Sequence, residues 1–267
     1  MPAVRPAAVA GSFYPADALP LRRQVGECLA AAHATAPPER PPKMLIVPHA
    51  GYRYSGCVAA QAYALLAPWR DQISRVVLLG PAHRSAVRAL AAPAAEAFDT
   101  PLGRIALDLP ALARLHDLAQ VVRDDRAHAF EHSLEVQLPF LQTLLGPFKL
   151  VPLLVGHAGP AEVAQVLARL WGGDETLIVV SSDLSHYLPD AQAQLRDRAT
   201  VDRILAFDAT LDPEDACGAP AINGALQAAQ AHGLLPRLLD LHNSGDTAGD
   251  RRRVVGYAAI AFEAAAS

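Results

Sequence analysis

The chain has 267 residues, with 23 lysines and arginines against 27 aspartates and glutamates, for a formal charge of −4. Hydrophobic residues make up 52% and charged residues 19%, which excludes a disordered chain and suffices for a buried core. No basic stripe occurs beyond Arg251–Arg253, so no nucleic-acid partner is expected, and that run reads as a solvated loop before the last strand.

The longest apolar runs are strand-sized, far short of the roughly 20 residues a membrane span needs. The N-terminal stretch, Met-Pro-Ala-Val-Arg-Pro, has no apolar signal core. Three cysteines, Cys28, Cys57 and Cys217, make no disulfide framework. The expectation is a soluble, cytoplasmic, reduced protein with one domain over 1–267.

In chain order, Asp17 reads as the N-cap of a helix over 18–34, and 36–42 as a proline-rich connector. Runs of Val, Ile and Leu place strands at 44–47, 75–79, 149–154, 176–181 and 254–262. Helical patterns fall at 55–67, 110–118, 132–145, 160–170, 190–206 and 218–232, and 87–91, 104–107 and 120–123 read as added edge strands. Such alternation implies an α/β fold, a largely parallel central sheet between helical layers. Cys28 and Cys57 read as packing residues on their helices.

Polar clusters follow three of the strands. His49 comes after Pro48 and before Ala50-Gly51, with Tyr52 and Tyr54 as an aromatic wall. His83 follows Gly80-Pro81-Ala82, and Ser181-Ser-Asp-Leu-Ser-His-Tyr187 follows the strand at 176–181. In open α/β sheets ligands bind beyond the carboxyl ends of the strands. Two strand-end imidazoles could therefore share a metal, which needs at least a third protein ligand. Cys217, before a helix, reads either as a thiolate favoured by the helix dipole or as a small packed residue. Asp183 and His186 suit proton handling, with Ser182 or Ser185 as caps. Glu131, His132 and Glu135 lie at a helix start, where His132 suits a donor, an acceptor or a ligand, or else a cap on a solvated Glu face. There is no Walker loop, dinucleotide fingerprint or Gly-x-Ser-x-Gly elbow.

Seven segments occur in order: Gly-Ser-Phe-Tyr-Pro at 11, Pro-His-Ala-Gly-Tyr at 48, Leu-Gly-Pro-Ala-His at 79 and Glu-His-Ser-Leu-Glu-Val-Gln-Leu-Pro at 131. Val-Pro-Leu-Leu-Val-Gly at 151, Ser-Ser-Asp-Leu-Ser-His-Tyr at 181 and Cys-Gly at 217 complete the set. This pattern resembles the Memo family, whose bacterial members are called AmmeMemoRadiSam system protein B. The resemblance implies a three-layer α/β sandwich with a mostly parallel or mixed sheet, similar to LigB-type class III extradiol dioxygenases. It implies Fe(II) or Cu held by His49, His83 and Cys217, with His186, Asp183 and His132 as catalytic groups in one cleft. It also implies AMMECR1-like and radical-SAM partners. Extradiol dioxygenases use two histidines and a carboxylate; a thiolate in the third position is softer and oxidisable, so ring cleavage does not carry over.

Three functions follow as expectations. The first is a redox-metal protein, a metal-dependent oxidoreductase. The second is a Zn hydrolase in the same cleft. The third is a module binding a small molecule, a peptide or an AMMECR1-like partner, in which Phe13, Tyr14, Tyr52 and Tyr54 matter most; Glu131 is grouped with those tyrosines as substrate-binding.

Overall fold

A computed structural model describes residues 3–32 and 39–265. In chain order its strands are β1 (Val4–Arg5), β2 (Met44–Val47), β3 (Arg75–Pro81), β4 (Leu90–Ala92), β5 (Ala97–Thr100), β6 (Gly103–Ala106), β7 (Val121–Arg123), β8 (Lys149–Val155), β9 (Thr176–Ser181), β10 (His186–Leu188), β11 (Leu234–Asn243) and β12 (Val254–Ala264). Its α-helices are α1 (Ala18–Ala30), α2 (Tyr52–Tyr63), α3 (Leu109–Ala113), α4 (Asp125–Ala129), α5 (Leu138–Leu144), α6 (Pro160–Leu170), α7 (Asp190–Leu205), α8 (Ala219–Ala231) and α9 (Ser244–Ala248).

Nine strands form one mixed sheet in the order β10-β12-β2-β9-β3-β8-β4-β7, with β11 also on β12. Its centre, β2-β9-β3-β8, is parallel throughout. Every residue of β2 and β9 is buried, as strands covered on both faces must be. Helices α1, α2 and α5 pack together on one face, while α6 packs on α8 and both α7 and α8 lie against the sheet on the other. The result is a mixed α/β architecture consistent with a three-layer sandwich.

The five long strands expected from apolar runs all form. The helix expected over 18–34 ends at Ala30, and residues 33–38, which include its last two positions and the start of the 36–42 connector, lie outside the described residues, as do Met1 and Pro2. Asp17 takes the N-cap position of α1, but its side chain makes no capping hydrogen bond. The segment expected at 104–107 is not an edge of the main sheet: β6 pairs with β5, and β5 with β1, in a separate three-stranded sheet.

Cys28 and Cys57 are joined by a disulfide linking α1 to α2, so the chain is not fully reduced. Cys28 lies on the buried face of α1, and Gly56 brings the α2 backbone close to its sulfur, so two packing residues become partners.

Candidate metal centre

Three adjacent parallel strands, β2, β9 and β3, end at the same edge of the sheet. His49 follows β2, Ser181–Asp183 closes β9, and His83 follows β3. Because β12 runs antiparallel to β2, its beginning lies at that edge too, bringing Arg253, Val255 and Tyr257 to the same cleft of about 760 Å³. His132 arrives from the segment between α4 and α5. Gly80 lets that segment close on β3, since a Cβ there would sit 2.9 Å from Leu134 Cδ2 and 3.0 Å from Ser133 Oγ.

His49, His83 and His132 each offer a ligand atom, all within 4.8 Å of one another. Their rings lie 5.2 Å (His49–His83), 5.4 Å (His49–His132) and 4.7 Å (His83–His132) apart. What lies behind the rings fixes which nitrogens face inward. Ser181 Oγ donates its one proton to Ser133 O at 2.6 Å and accepts from Gln137 Nε2 at 2.8 Å. His49 Nδ1, 3.0 Å away, must then be the donor to Ser181, which leaves the lone pair on Nε2. His83 Nδ1 stands 3.0 Å from Glu131 Oε1 and likewise leaves Nε2 free. His132 Nδ1 lies 3.2 Å from the same oxygen but is buried without a well-formed hydrogen bond. A carboxylate behind a ligating imidazole fixes its tautomer and raises its basicity.

Glu131 is built to stay ionised. Its carboxylate is 1% exposed and accepts the amides of His83 (2.6 Å), His132 (2.9 Å), Ser133 (2.9 Å) and Arg84 (3.3 Å). Burial alone would raise its carboxyl, yet the close His132 ring and the hydrogen bonds from the His83 ring and the Ser133 amide outweigh this and hold it well below the usual carboxylate range. Burial, aided by the neighbouring His83 and His132, keeps His49 neutral well below the ordinary imidazole range, as a metal ligand must be.

Cys217 stands apart from the three-histidine group, but its Sγ lies 3.2 Å from His49 Nε2. Two donors on one tetrahedral ion, with metal–sulfur near 2.3 Å and metal–nitrogen near 2.0–2.1 Å, stand about 3.5 Å apart. The Cys217–His49 pair fits that separation. The helix-dipole expectation for this thiol does not hold without a metal: burial and the nearby Asp183 carboxylate push it up to about 12. The Cys217–Gly218 turn presses on the end of β9, where Ser182 Oγ accepts the Gly218 amide at 2.8 Å. Ser182 thus caps the approach to α8.

Asp183 is buried at the cleft floor and accepts the His49 amide at 2.7 Å; burial raises its carboxyl against that hydrogen bond. His186 is half-buried in the cleft wall, and it and His83 also border a second pocket of about 450 Å³ that reaches Cys217. Among the residues expected to touch substrate, Tyr54 lines the cleft, as does Phe13, whose ring lies tilted against that of His132 with centres 4.5 Å apart.

The other three do not line it. Tyr14 is 3% exposed and donates to Glu135 Oε1, and Tyr52 is 5% exposed and donates to Val136 O. Both rings point into the packing beneath the site. Glu131 grips the histidines from behind, and Glu135, expected on a solvated face, is fully buried and paired with Arg5 at 2.7 Å. Sequence reasoning missed Ser181 and Gln137 as orienting groups, since serine and glutamine carry no spacing cue. It also read Arg253 as solvated loop. Arg251 and Arg252 pair with Asp190 and Asp250, whereas Arg253 lines the cleft.

A cluster of inward-facing imidazoles at the strand ends of an α/β sheet defines a candidate metal-binding protein. A Memo-like family model matches residues 5–261, and the chain belongs to that family. It is 36% identical over 283 residues to a MEMO1 family protein of Sulfolobus acidocaldarius, covering 97% of this chain and 99% of the relative. A MEMO1 family protein of Aquifex aeolicus is 34% identical over 273 residues, covering 97% and 99%. One from Methanosarcina acetivorans is 37% identical over 277 residues, with the same coverage. No helix among the described residues is long and apolar enough to cross a membrane.

Proposed function

We propose that the protein is a redox-active metal protein in which His49, His83 and His132 hold Fe(II) or Cu and Cys217 supplies a fourth, sulfur donor. The observation that carries this reading is the paired locking of tautomers, His49 Nδ1 by Ser181 and His83 Nδ1 by Glu131, which aims two bare Nε2 atoms at a common point. Imidazole with thiolate suits iron, copper and zinc, whereas the Glu131 carboxylate behind the rings is spent on amides and imidazoles. When bound, such an ion supplies electron transfer and Lewis acidity at the cleft floor.

The chain's own groups then divide the work. Asp183 holds the His49 backbone through its amide. His186, in the cleft wall, gives or takes a proton from a ligand above the centre, with Asp183 as the nearby carboxylate. Phe13 and Tyr54 hold a ligand's apolar body and keep water off the His132 ring. The substrate is a small molecule or peptide, and AMMECR1-like and radical-SAM proteins are the proposed partners.

Anaerobic reconstitution followed by metal analysis tests the assignment. The wild type retains about one equivalent of iron or copper, while His49→Ala and His83→Ala retain far less. Variants that bind as tightly as the wild type would overturn it. A zinc hydrolase is the second reading, favoured by the three-histidine donor set. Turnover with redox-inert zinc and no dependence on O₂ would establish it in place of the first.

A further inference from the structure

The mouth of the histidine cleft carries three guanidiniums, Arg53, Arg84 and Arg253, in a chain of net charge −4. Among the described residues none of the three forms an ion pair, although Arg251 and Arg252 beside them are paired to Asp190, Asp246 and Asp250. Two of them rest on aromatic faces instead. The Arg53 guanidinium lies 4.7 Å from the Tyr54 ring centre, and that of Arg253 lies 5.1 Å from Tyr187. Stacking holds the planar fork in place while leaving its N–H groups free for an oxyanion.

Tyr187 is itself held in an unusual state. It is a non-glycine residue in the left-handed region at φ +61°, and its ring is exposed beside the cleft. Such a conformation is costly and persists where surrounding structure imposes it, often at ligand-binding positions. The acidic groups of the cleft are Asp183 on the floor and Asp250, which Arg252 engages from outside. The three guanidiniums outnumber these two carboxylates, and planar forks held beside aromatic rings suit a small, flat organic carboxylate.

We propose that Arg53, Arg84 and Arg253 form a binding site for a small organic monocarboxylate, its acid group at the rim and its body between the Tyr54 and Tyr187 rings. This rests on the metal-centre reading only for what lies at the far end of the ligand. The guanidiniums supply bidentate, charge-assisted hydrogen bonds, and the rings supply apolar contact. The ligand's other end is thereby directed toward His132 and His49.

Calorimetric titration of the chelator-treated, metal-free protein with benzoate and with its neutral isostere benzamide tests the site. Removing the metal excludes direct carboxylate ligation as the cause of binding. Benzoate is expected to bind at least about tenfold more tightly than benzamide. The triple variant R53Q/R84Q/R253Q should lose that preference while its melting temperature and its benzamide affinity stay unchanged. Equal affinities for the two probes, no benzoate binding, or a triple variant that keeps the preference would overturn the site. Inorganic phosphate binding more tightly than benzoate would overturn the carboxylate assignment. Metal titration of the same triple variant keeps the two ideas separate: normal metal uptake with lost benzoate binding supports the rim, and failed uptake by the wild type defeats only the metal reading.

Discussion

Cys217 Sγ rests 3.2 Å from His49 Nε2 across 168 residues of intervening chain. The thiol is half-buried, burial and Asp183 push its pKa to about 12, and it faces the bare nitrogen of an imidazole that must stay neutral. Without metal it is an inert thiol; with metal bound beside His49, the ion's charge would outweigh both burial and the Asp183 carboxylate.

This gives a pH prediction. In metal-free protein the thiolate fraction of Cys217 is small at pH 8 and grows about tenfold per pH unit up to pH 10, because its pKa lies above that range. Iodoacetamide labelling of Cys217, followed by mass spectrometry, should be slow and rise with pH without a plateau. A plateau near the ordinary thiol range of roughly 8.5 would contradict the stated environment. In Co(II)-loaded protein a sulfur-to-cobalt charge-transfer band should be present and should vanish in Cys217→Ser.

Glu131 is predicted to govern metal affinity without touching the metal. Glu131→Gln removes the charge and puts an amide NH₂ where His83 Nδ1 and four backbone amides now donate. Loss of such an orienting carboxylate costs about 10–100-fold in metal affinity. Competition with a coloured chelator measures this, and an unchanged affinity in folded variant protein would exclude the role.

The buried tyrosines should report on stability and not on ligand binding. Tyr14→Phe removes a hydrogen bond to a carboxylate that also holds Arg5 and the amides of Ala8 and Val9. The expected cost is about 1–3 kcal/mol in denaturant unfolding, with metal affinity unaltered. Reduced ligand affinity at unchanged stability would return Tyr14 to the cleft.

His128 supplies a test of linkage. Burial lowers its pKa to about 4 while its Nε2 donates to Ala91 O at 2.9 Å. An unfolded histidine titrates near 6.5. Between those values the unfolded chain takes up a proton that the folded chain refuses, so stability falls as pH drops from about 6.5 toward 4. Carboxylates titrate there too, so the comparison is with His128→Gln. The wild type's stability advantage should shrink by roughly 1 kcal/mol per pH unit through that window. A constant difference would show that His128 titrates normally.

The sequence disclosed the sheet's spine because β2, β3, β8, β9 and β12 are unbroken apolar runs covered on both faces. It did not disclose β11, a mostly half-buried edge strand interrupted by Pro236, Arg237 and Asp240, whose pattern matches neither strand alternation nor a core run. His49 and His83 were legible as strand-end histidines. His132 carried no comparable cue, because its place depends on Gly80 admitting a distant segment. The place of Tyr52 was not legible either, since following His49 in sequence does not decide which way the first turn of α2 points; its ring faces Val136 and Phe140.

One ion is proposed to lie among His49, His83 and His132. Anomalous diffraction from crystals of metal-loaded protein, collected on both sides of the iron, copper and zinc edges, tests it most directly. A single strong peak within bonding distance of all three imidazoles is expected. A peak ligated elsewhere, or none at full metal loading, would contradict it.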